Sequence, residues 1–196
     1  SATGGSSAGG TGGATGIDDA PTGPAPKLDD AVNDELKKKD DNVKIEVYGD
    51  GVKPNGTPVD YSEIELVLSL KGLPCSIIKA KNKRFRPSIS LAITGDVKNH
   101  EDVLLTDTYP INKESLQDGC RASVTIKVFS KGNSFDMAKK YGNDISVEKL
   151  RQSMSFYFPK YTNILVKILQ TPRVLAGNTA SEAAMERAKA IKATNA

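Results

Sequence analysis

The sequence feature that most constrains the fold is the stretch from Leu66 to Gly95, which contains two apolar segments separated by a basic run. Apolar and polar residues alternate in both segments, the apolar ones being Ile64, Leu66, Leu68 and Leu70, then Ile89, Leu91 and Ile93. Alternation with a period of two is typical of strands with one buried face. The basic run, Lys79–Arg86, lies in a stretch that has six Lys or Arg residues and no Asp or Glu. We therefore predict two core strands joined by a basic connection exposed to solvent.

Further alternating segments predict a small sheet. They lie at Val43–Tyr48, Tyr61–Leu70, Ser88–Thr94 and Ala122–Ser130, with a short edge strand at Val103–Leu105. Polar outer faces combined with apolar inner faces are typical of antiparallel sheets that have a core on one side and water on the other. Between the first two strands, Asn55-Gly-Thr57 follows Pro54 and predicts a turn rather than a glycosylated asparagine.

The last third of the chain changes to the helical period of 3.6. One short helix is predicted from Asn133-Ser134 to Gly142, and a second from its cap at Ser146 to the residues before Pro159. Residues 161–170 fit two templates: five apolar positions match a helix and three match a strand. We expect a helix there, with a strand as the alternative. The predicted fold class is α+β, a small antiparallel sheet followed by C-terminal helices.

Composition divides the chain into three parts. Residues 1–41 are expected to form a flexible Gly/Ser/Pro-rich tail, because such a segment cannot bury enough apolar surface to offset its ordering entropy. Residues 42–175 are expected to form a globular α+β domain, and 176–196 an Ala-rich helix or tail with a capping box at Thr179–Glu182. The tail has eight acids and four bases in a chain of net charge +3, which leaves +7 on the remainder. A basic domain with an acidic tail indicates an anionic partner, or a tail that folds back over the basic face of the domain.

A short amphipathic helix is predicted within the tail at 28–39. Leu28, Val32 and Leu36 recur every four residues and form a narrow apolar stripe. A helix of this length is too weak to stand alone. We expect the stripe to dock on the domain or on another copy of the chain, and we assign self-association to these three residues.

The two cysteines, Cys75 and Cys120, are predicted to be small buried thiols. No Cys or His lies near either of them at the spacing of metal ligands, and two cysteines cannot form the dense disulfide framework of a small secreted domain. A reducing, intracellular compartment is therefore expected. No signal-peptide pattern is present and no apolar run approaches the roughly 18 residues of a transmembrane helix, so any membrane contact would be peripheral.

Catalysis is not expected. The sequence contains a single histidine, His100, and no motif that would position a nucleophile for it to activate. His100 is therefore expected to lie in a solvated loop. Three of the four carboxylate pairs lie in or beside the tail, where they are expected to keep the chain soluble rather than to hold a metal ion. We predict no cofactor, no metal ion and no small-molecule substrate.

Two basic zones are candidate contact sites for an anionic partner. The first is the run between the predicted strands, whose cations can donate to phosphates and whose aromatic ring can stack on an unpaired base or insert among lipid chains. The second is the acid-free zone from Lys149 to Ser181. The candidate residues are Lys79, Lys81, Lys83, Arg84, Phe85 and Arg86 in the first zone, and Lys160, Lys167 and Arg173 in the second. The alternative for the first zone is a solvated loop whose lysines prevent aggregation between sheet edges.

The tail contains Pro21-Thr-Gly-Pro24, which resembles the Pro-Thr-Ala-Pro late-domain motif of viral structural proteins, with Gly23 in place of Ala. A tail of this kind followed by a basic α+β domain without catalytic groups resembles the layout of rhabdovirus matrix proteins. The resemblance implies self-association, contact with the viral nucleocapsid and peripheral binding to anionic membrane, in the virion and the host cytoplasm. The alternative function is a single-stranded RNA-binding or coat protein, and an enzyme without a recognisable motif is the least favoured.

Overall fold

A mixed six-stranded sheet with helices against one face forms the body of the protein. The computed structural model describes residues 21, 23–28, 43–177 and 191–194. The strands are β1 (Glu46–Tyr48), β2 (Tyr61–Lys71), β3 (Val103–Pro110), β4 (Gly119–Phe129), β5 (Leu165–Ile168) and β6 (Arg173–Ala176). The α-helices are α1 (Cys75–Ala80), α2 (Asn82–Thr94), α3 (Ser134–Asn143) and α4 (Val147–Tyr157), and two 3-10 helices cover Val97–Asp102 and Leu116–Asp118.

The sheet has the order β1-β6-β2-β4-β3, with β5 also paired to β2. Strands β2 and β4 are antiparallel over their full lengths, from Tyr61 opposite Phe129 to Lys71 opposite Gly119. Strands β5 and β6 follow each other along the other edge of β2, and β1 pairs with β6 in parallel. The predicted α+β class is therefore confirmed only in part: the sheet is mixed, helices lie between strands, and two strands follow the last of the α-helices named above.

The two long strands bury one face and leave the other open. In β2 the residues Ile64, Leu66, Leu68 and Leu70 are each at most 2% exposed. Their neighbours on β4, at the same positions across the sheet, are also buried. Helices α2, α3 and α4 cover this face, while the alternate residues are half-buried or exposed on the opposite side. The predicted pattern of one buried face and one solvated face is confirmed for these strands. We call the solvated side the open face.

Residues 88–94 form the second half of α2, so the predicted strand at Ser88–Thr94 is wrong. All residues from Ser88 to Ile93 are buried. The alternation that suggested a strand arises because Ser88 and Ser90, although polar, lie in the core. Their hydroxyls donate hydrogen bonds to backbone carbonyl oxygens, Ser88 to Phe85 and Ser90 to Asp96. A helix that is apolar or small on all sides is a central helix. Gly95, with φ 76°, ends it.

The ambiguous segment 161–170 contains strand β5, so the favoured helix is wrong and the alternative is correct. Its apolar residues are divided between two faces: Val166 is buried, whereas Leu165 and Leu169 are 54% and 43% exposed. The two predicted helices before it are confirmed as α3 and α4, and the Ser146 side chain caps α4 by accepting from the Lys149 amide. The edge strand near Val103 is confirmed and extends to Pro110.

Smaller predictions near the N-terminus have mixed outcomes. The strand predicted at Val43–Tyr48 is limited to β1, and the turn at Asn55 is confirmed because its Oδ1 accepts the Thr57 amide and Gly56 has φ 82°. Leu28 packs against the core in a cleft of about 330 Å³ beside α2 and α3. The rest of the helix predicted at 28–39, including Val32 and Leu36, lies outside the described residues. Of the segment predicted at 176–196 as an Ala-rich helix or tail, residues 176–177 and 191–194 are described: Ala176 ends strand β6, so the predicted start is wrong, and residues 191–194 are helical.

Candidate nucleic-acid interface

Three connections meet at the end of the sheet where β2 ends and β4 begins. Lys71 is in register with Gly119 on one side and Leu165 on the other. The next residue, Gly72, donates its amide to the Asp118 carbonyl at 2.7 Å. Its φ of 88° and its approach to Asn163, whose carbonyl oxygen would lie 2.8 Å from an added Cβ, require glycine. The connection from β2 to α1, the β3–β4 loop and the α4–β5 loop therefore share this end.

A disulfide between Cys75 and Cys120 fixes the same end. Cys75 is the first residue of α1 and Cys120 the second residue of β4, so the bond attaches the start of the helical layer to the sheet. The prediction of two free thiols is wrong. The two cysteines are 45 residues apart in the sequence. No local sequence signal indicates that the turn between β2 and α1 places Cys75 next to Cys120 on β4.

Positive charge is concentrated at this end. The segments 71–84, 111–121 and 160–167 hold nine Lys or Arg residues and only two acids, Glu114 and Asp118. The Asp118 carboxylate already accepts hydrogen bonds from Asn112 and Ser115. We call the nine cations the basic end: Lys71, Lys79, Lys81, Lys83, Arg84, Lys113, Arg121, Lys160 and Lys167.

The opposite end of the molecule has a different charge balance. Its connections are the turns before β2 and after β4, the 3-10 helix after α2, and the region of α3 and the start of α4. Contacts between Ser130 and Asp60, and a small cavity that includes Asp102, Phe129 and Met137, bring these segments together. The segments 49–60, 94–102 and 130–149 hold eight acids and six bases. The charge asymmetry therefore runs along the strands of the sheet.

The structure unites six of the predicted cations in the basic end. Four come from the first zone (Lys79, Lys81, Lys83 and Arg84) and two from the second (Lys160 and Lys167). Helices α2 and α4 run antiparallel, since Ser153 donates to the Ser88 carbonyl at 2.6 Å while Lys149 and Gly95 line one cleft. The start of α2 therefore lies toward the end of α4. The first zone is helical, so the predicted solvent-exposed connection between two strands is wrong.

Three other predicted contact residues have structural roles. Phe85 is fully buried in the core, so it cannot stack on a base or insert into lipid in the folded protein. Arg86 donates to the carbonyl oxygens at the 3-10 helix that follows α2. Arg173 lies on the open face, where it forms a salt bridge with Glu65 at 3.3 Å and covers the Tyr48 ring at 4.7 Å.

Replacing Arg86 by Gln is expected to lower the free energy of unfolding by about 1.5–3 kcal/mol, because hydrogen bonds from a charged donor are lost. The guanidinium reaches Val103 at 2.8 Å, Glu101 at 2.7 Å and His100 at 3.1 Å, all at carbonyl oxygens. Urea denaturation followed by circular dichroism measures the change. Lys79→Gln, at an exposed position of the same basic run, is the control and should change stability by less than about 0.5 kcal/mol. Equal effects from the two variants would contradict the role given to Arg86.

Residues that the sequence analysis missed complete the basic end on the open face. Lys167, Ser69, Arg121 and Tyr109 form one row across β5, β2, β4 and β3. Tyr109 is 59% exposed, and a hydrogen bond with Asp107 raises the pKa of its phenol. Lys71 and Arg121 each lie one residue outside the predicted strands Tyr61–Leu70 and Ala122–Ser130, and the structure extends both strands to include them. Only the register of β2 against β4 and β5 shows that they are neighbours.

Of the remaining candidates, His100 and the carboxylate pair Glu101–Asp102 are among the described residues, whereas the pairs at 18–19, 29–30 and 40–41 lie outside them. His100 lies in the 3-10 helix after α2 rather than in a loop, and its Nδ1 is 3.1 Å from the Val97 carbonyl oxygen. In the described part of the chain, no group of three or more His, Cys, Asp or Glu side chains is arranged to hold a metal ion. Within the same residues, no helix combines the length and the apolar character needed to cross a membrane.

Comparison with protein-family models, with curated proteins and with solved structures finds no match to this chain.

Proposed function

We propose that the protein is a non-enzymatic structural protein that contacts a nucleocapsid by binding single-stranded RNA at the basic end. The observation that carries the proposal is the gathering of nine cations with two acids at one end of the sheet. Cations that neutralise phosphates supply most of the sequence-independent affinity for nucleic acid. The disulfide and the Gly72 contacts hold the strand-borne and helix-borne cations in one place, so binding needs little reordering of the backbone.

The viral setting, in the virion and the host cytoplasm, rests on the resemblance in layout to rhabdovirus matrix proteins. It does not rest on reduced thiols, because Cys75 and Cys120 form a disulfide, a bond that persists mainly in oxidising environments. Self-association into a homo-oligomer is part of the same proposal. Leu28 packs on the core of its own chain, so association through the predicted stripe depends on Val32 and Leu36. No small-molecule substrate, cofactor or metal ion is included in the proposal.

Neutralising four exposed cations of the basic end should weaken RNA binding strongly. The variant carries Lys79→Gln, Lys83→Gln, Arg121→Gln and Lys167→Gln. Each phosphate contact on a single strand contributes about 0.7 to the slope of log affinity against log salt, so four lost contacts reduce the slope by about 3. At about 0.15 M salt the affinity should fall on the order of a hundredfold. Filter binding of single-stranded RNA across a salt series measures both quantities.

The matched control changes the same number of charges at the opposite end. It carries Lys53→Gln, Lys98→Gln, Lys131→Gln and Lys140→Gln. Its salt slope should differ from that of the unmodified protein by less than about 0.7, the contribution of one phosphate contact. An equal loss in both variants would mean that net charge alone drives binding. An unchanged slope in the basic-end variant would contradict the proposal.

A second candidate function, peripheral binding to an anionic membrane, is favoured by two exposed leucines near these cations. Leu116 in the β3–β4 loop is 59% exposed and Leu165, beside Lys71, is 54% exposed. Exposed apolar side chains beside lysines are typical of surfaces that enter the membrane interface. Vesicles containing phosphatidylserine, tested in the same salt series, separate the two functions. Binding that is abolished by Leu116→Ser and Leu165→Ser, without a change in RNA affinity, would favour the membrane.

A further inference from the structure

Two irregularities in the sheet face each other across β2 and β4. On one side, the register of β3 against β4 shifts between Leu105 and Asp107, which leaves Thr106 as an extra residue. On the other side, residues 169–172 stand between β5 and β6 and oppose only the two residues 66 and 67 of β2. Both irregularities lie at the level of Val67, which is in register with Ser123 of β4. Bulges of this kind are enriched next to functional sites.

A pocket of about 330 Å³ opens on the open face between the two bulges. Hydroxyl groups line one side, from Thr106, Ser123 and Thr125, and the Thr106 hydroxyl donates to the Ser123 carbonyl at 3.0 Å. Gln170 and Thr171, both exposed, line the other side. The volume falls in the range of small-ligand sites, and the lining presents several neutral donors and acceptors.

The remaining wall of the pocket is the ion pair between Glu65 and Arg173. Both residues are half-buried. The Arg173 Nε is buried and has no hydrogen-bond partner among the described residues. Because that atom is buried, it is not available to a ligand in the pocket. The charged pair itself, which is partly exposed, disfavours an apolar ligand at this wall. The guanidinium of Arg173, predicted as an anion contact, is already paired with Glu65.

The open face of β4 connects this pocket to the basic end. Its side chains are Arg121, Ser123, Thr125, Lys127 and Phe129. The acids of this face lie on the neighbouring β2, where Glu63 is in register with Lys127 and Glu65 with Thr125, while Arg121 is opposite Ser69. Alternate residues on a strand are spaced by roughly 6.6 Å. Ser123 and Thr125 are the two residues of this row that line the pocket. They are therefore flanked along the strand by one cation on each side, Arg121 before Ser123 and Lys127 after Thr125. The basic end and the pocket share Arg121 as their boundary.

We propose that this pocket binds a nucleobase of single-stranded RNA, with the flanking phosphates on Arg121 and Lys127. A nucleobase is planar and uncharged, and its edge carries both donors and acceptors, as do the Gln170 amide and the three hydroxyls. Several RNA-binding modules hold the unstacked bases of single-stranded RNA on the surface of a β-sheet. The inference rests on the proposed function, because the RNA would reach the pocket from the basic end.

The test compares a short single-stranded RNA of mixed sequence with an abasic oligomer that has the same number of phosphates. The unmodified protein should prefer the RNA by about tenfold, the order expected for one base whose edge is hydrogen-bonded by the protein. Thr125→Val combined with Gln170→Ala should abolish the preference and leave the salt slope unchanged. Thr57→Val, in the exposed turn at the other end, is the control and should keep the preference. Ser123→Leu, which fills the pocket, gives a second and independent block.

The outcomes separate this inference from the proposed function. If the RNA and the abasic oligomer bind equally and the basic-end variant weakens both, the pocket inference fails and the proposed function stands. If neither polymer binds, both fail. A preference for RNA that survives both pocket variants overturns the inference. Displacement of the RNA by micromolar nucleoside monophosphates would overturn the assignment to a polymer, because the base would then come from a free nucleotide.

Discussion

Replacing Phe85 by alanine should lower the free energy of unfolding by about 3–5 kcal/mol, the usual cost of removing a buried phenyl ring. Phe85 is completely buried in the first half of α2 and belongs to the largest fully buried side chains of the core. Its amide donates to the Lys81 carbonyl at 3.0 Å in the first turn of the helix. The substitution leaves a cavity that the surrounding helices and sheet cannot close.

Chemical denaturation followed by circular dichroism measures the loss, and Phe129→Ala is the matched control. Phe129 is 57% exposed at the end of β4 and lies beside the Tyr61 ring, at 5.8 Å between centroids. Its removal should cost about 1 kcal/mol or less. The decisive comparison is with RNA binding: the folded fraction of Phe85→Ala should keep its affinity. A stable variant with lost affinity would restore the predicted contact role of Phe85.

Breaking the disulfide should have an effect of similar size. For a closed loop set by the separation of 45 residues, the loss of chain-entropy stabilisation is about 4 kcal/mol. The bond also attaches α1 to β4, so its loss should loosen the basic end before the rest of the domain unfolds. Denaturation midpoints measured with and without a reducing agent give the stability change. Hydrogen exchange of the amides from Leu73 to Ala80 should report the local loosening.

The double variant Cys75→Ala with Cys120→Ala provides the control for this experiment. It should have the lower midpoint without reductant and should not respond when reductant is added. Identical midpoints for the oxidised and reduced protein would show that the bond does not contribute to stability. Protection from exchange that stays unchanged around α1 would show that it does not order the basic end.

The parts of the fold that the sequence predicted are those with a strong local signal. Strands β2 and β4 alternate over 11 residues each, and helix α4 has a serine cap that its structure confirms. Helix α2 was missed because serines in the core imitate the polar positions of a strand. Strand β5 was missed because Leu165 and Leu169 are apolar although they are exposed on the open face, so the segment matches a helical pattern better than a strand pattern. In both cases tertiary packing, rather than local propensity, decides the structure.

The candidate interface was predictable in its composition but not in its assembly. The charge of Lys79, Lys83, Lys160 and Lys167 is visible in the sequence, and the structure brings these residues to one end. Their union with Lys71 and Arg121 depends on strand register and on a disulfide between distant residues. Neither is set by short-range signals. The pocket on the open face could not be predicted from the sequence either, because it forms between two sheet irregularities that are far apart in the sequence.

The charge asymmetry along the sheet has a consequence for how the molecule meets its partner. Nine cations and two acids at one end, with eight acids and six bases at the other, give the protein a dipole along its strands. In the field of a polyanion such a dipole experiences a torque that turns the basic end forward before any contact forms. Steering of this kind raises the association rate constant and is screened by salt. The speed of encounter should therefore depend on ionic strength more steeply than the lifetime of the complex.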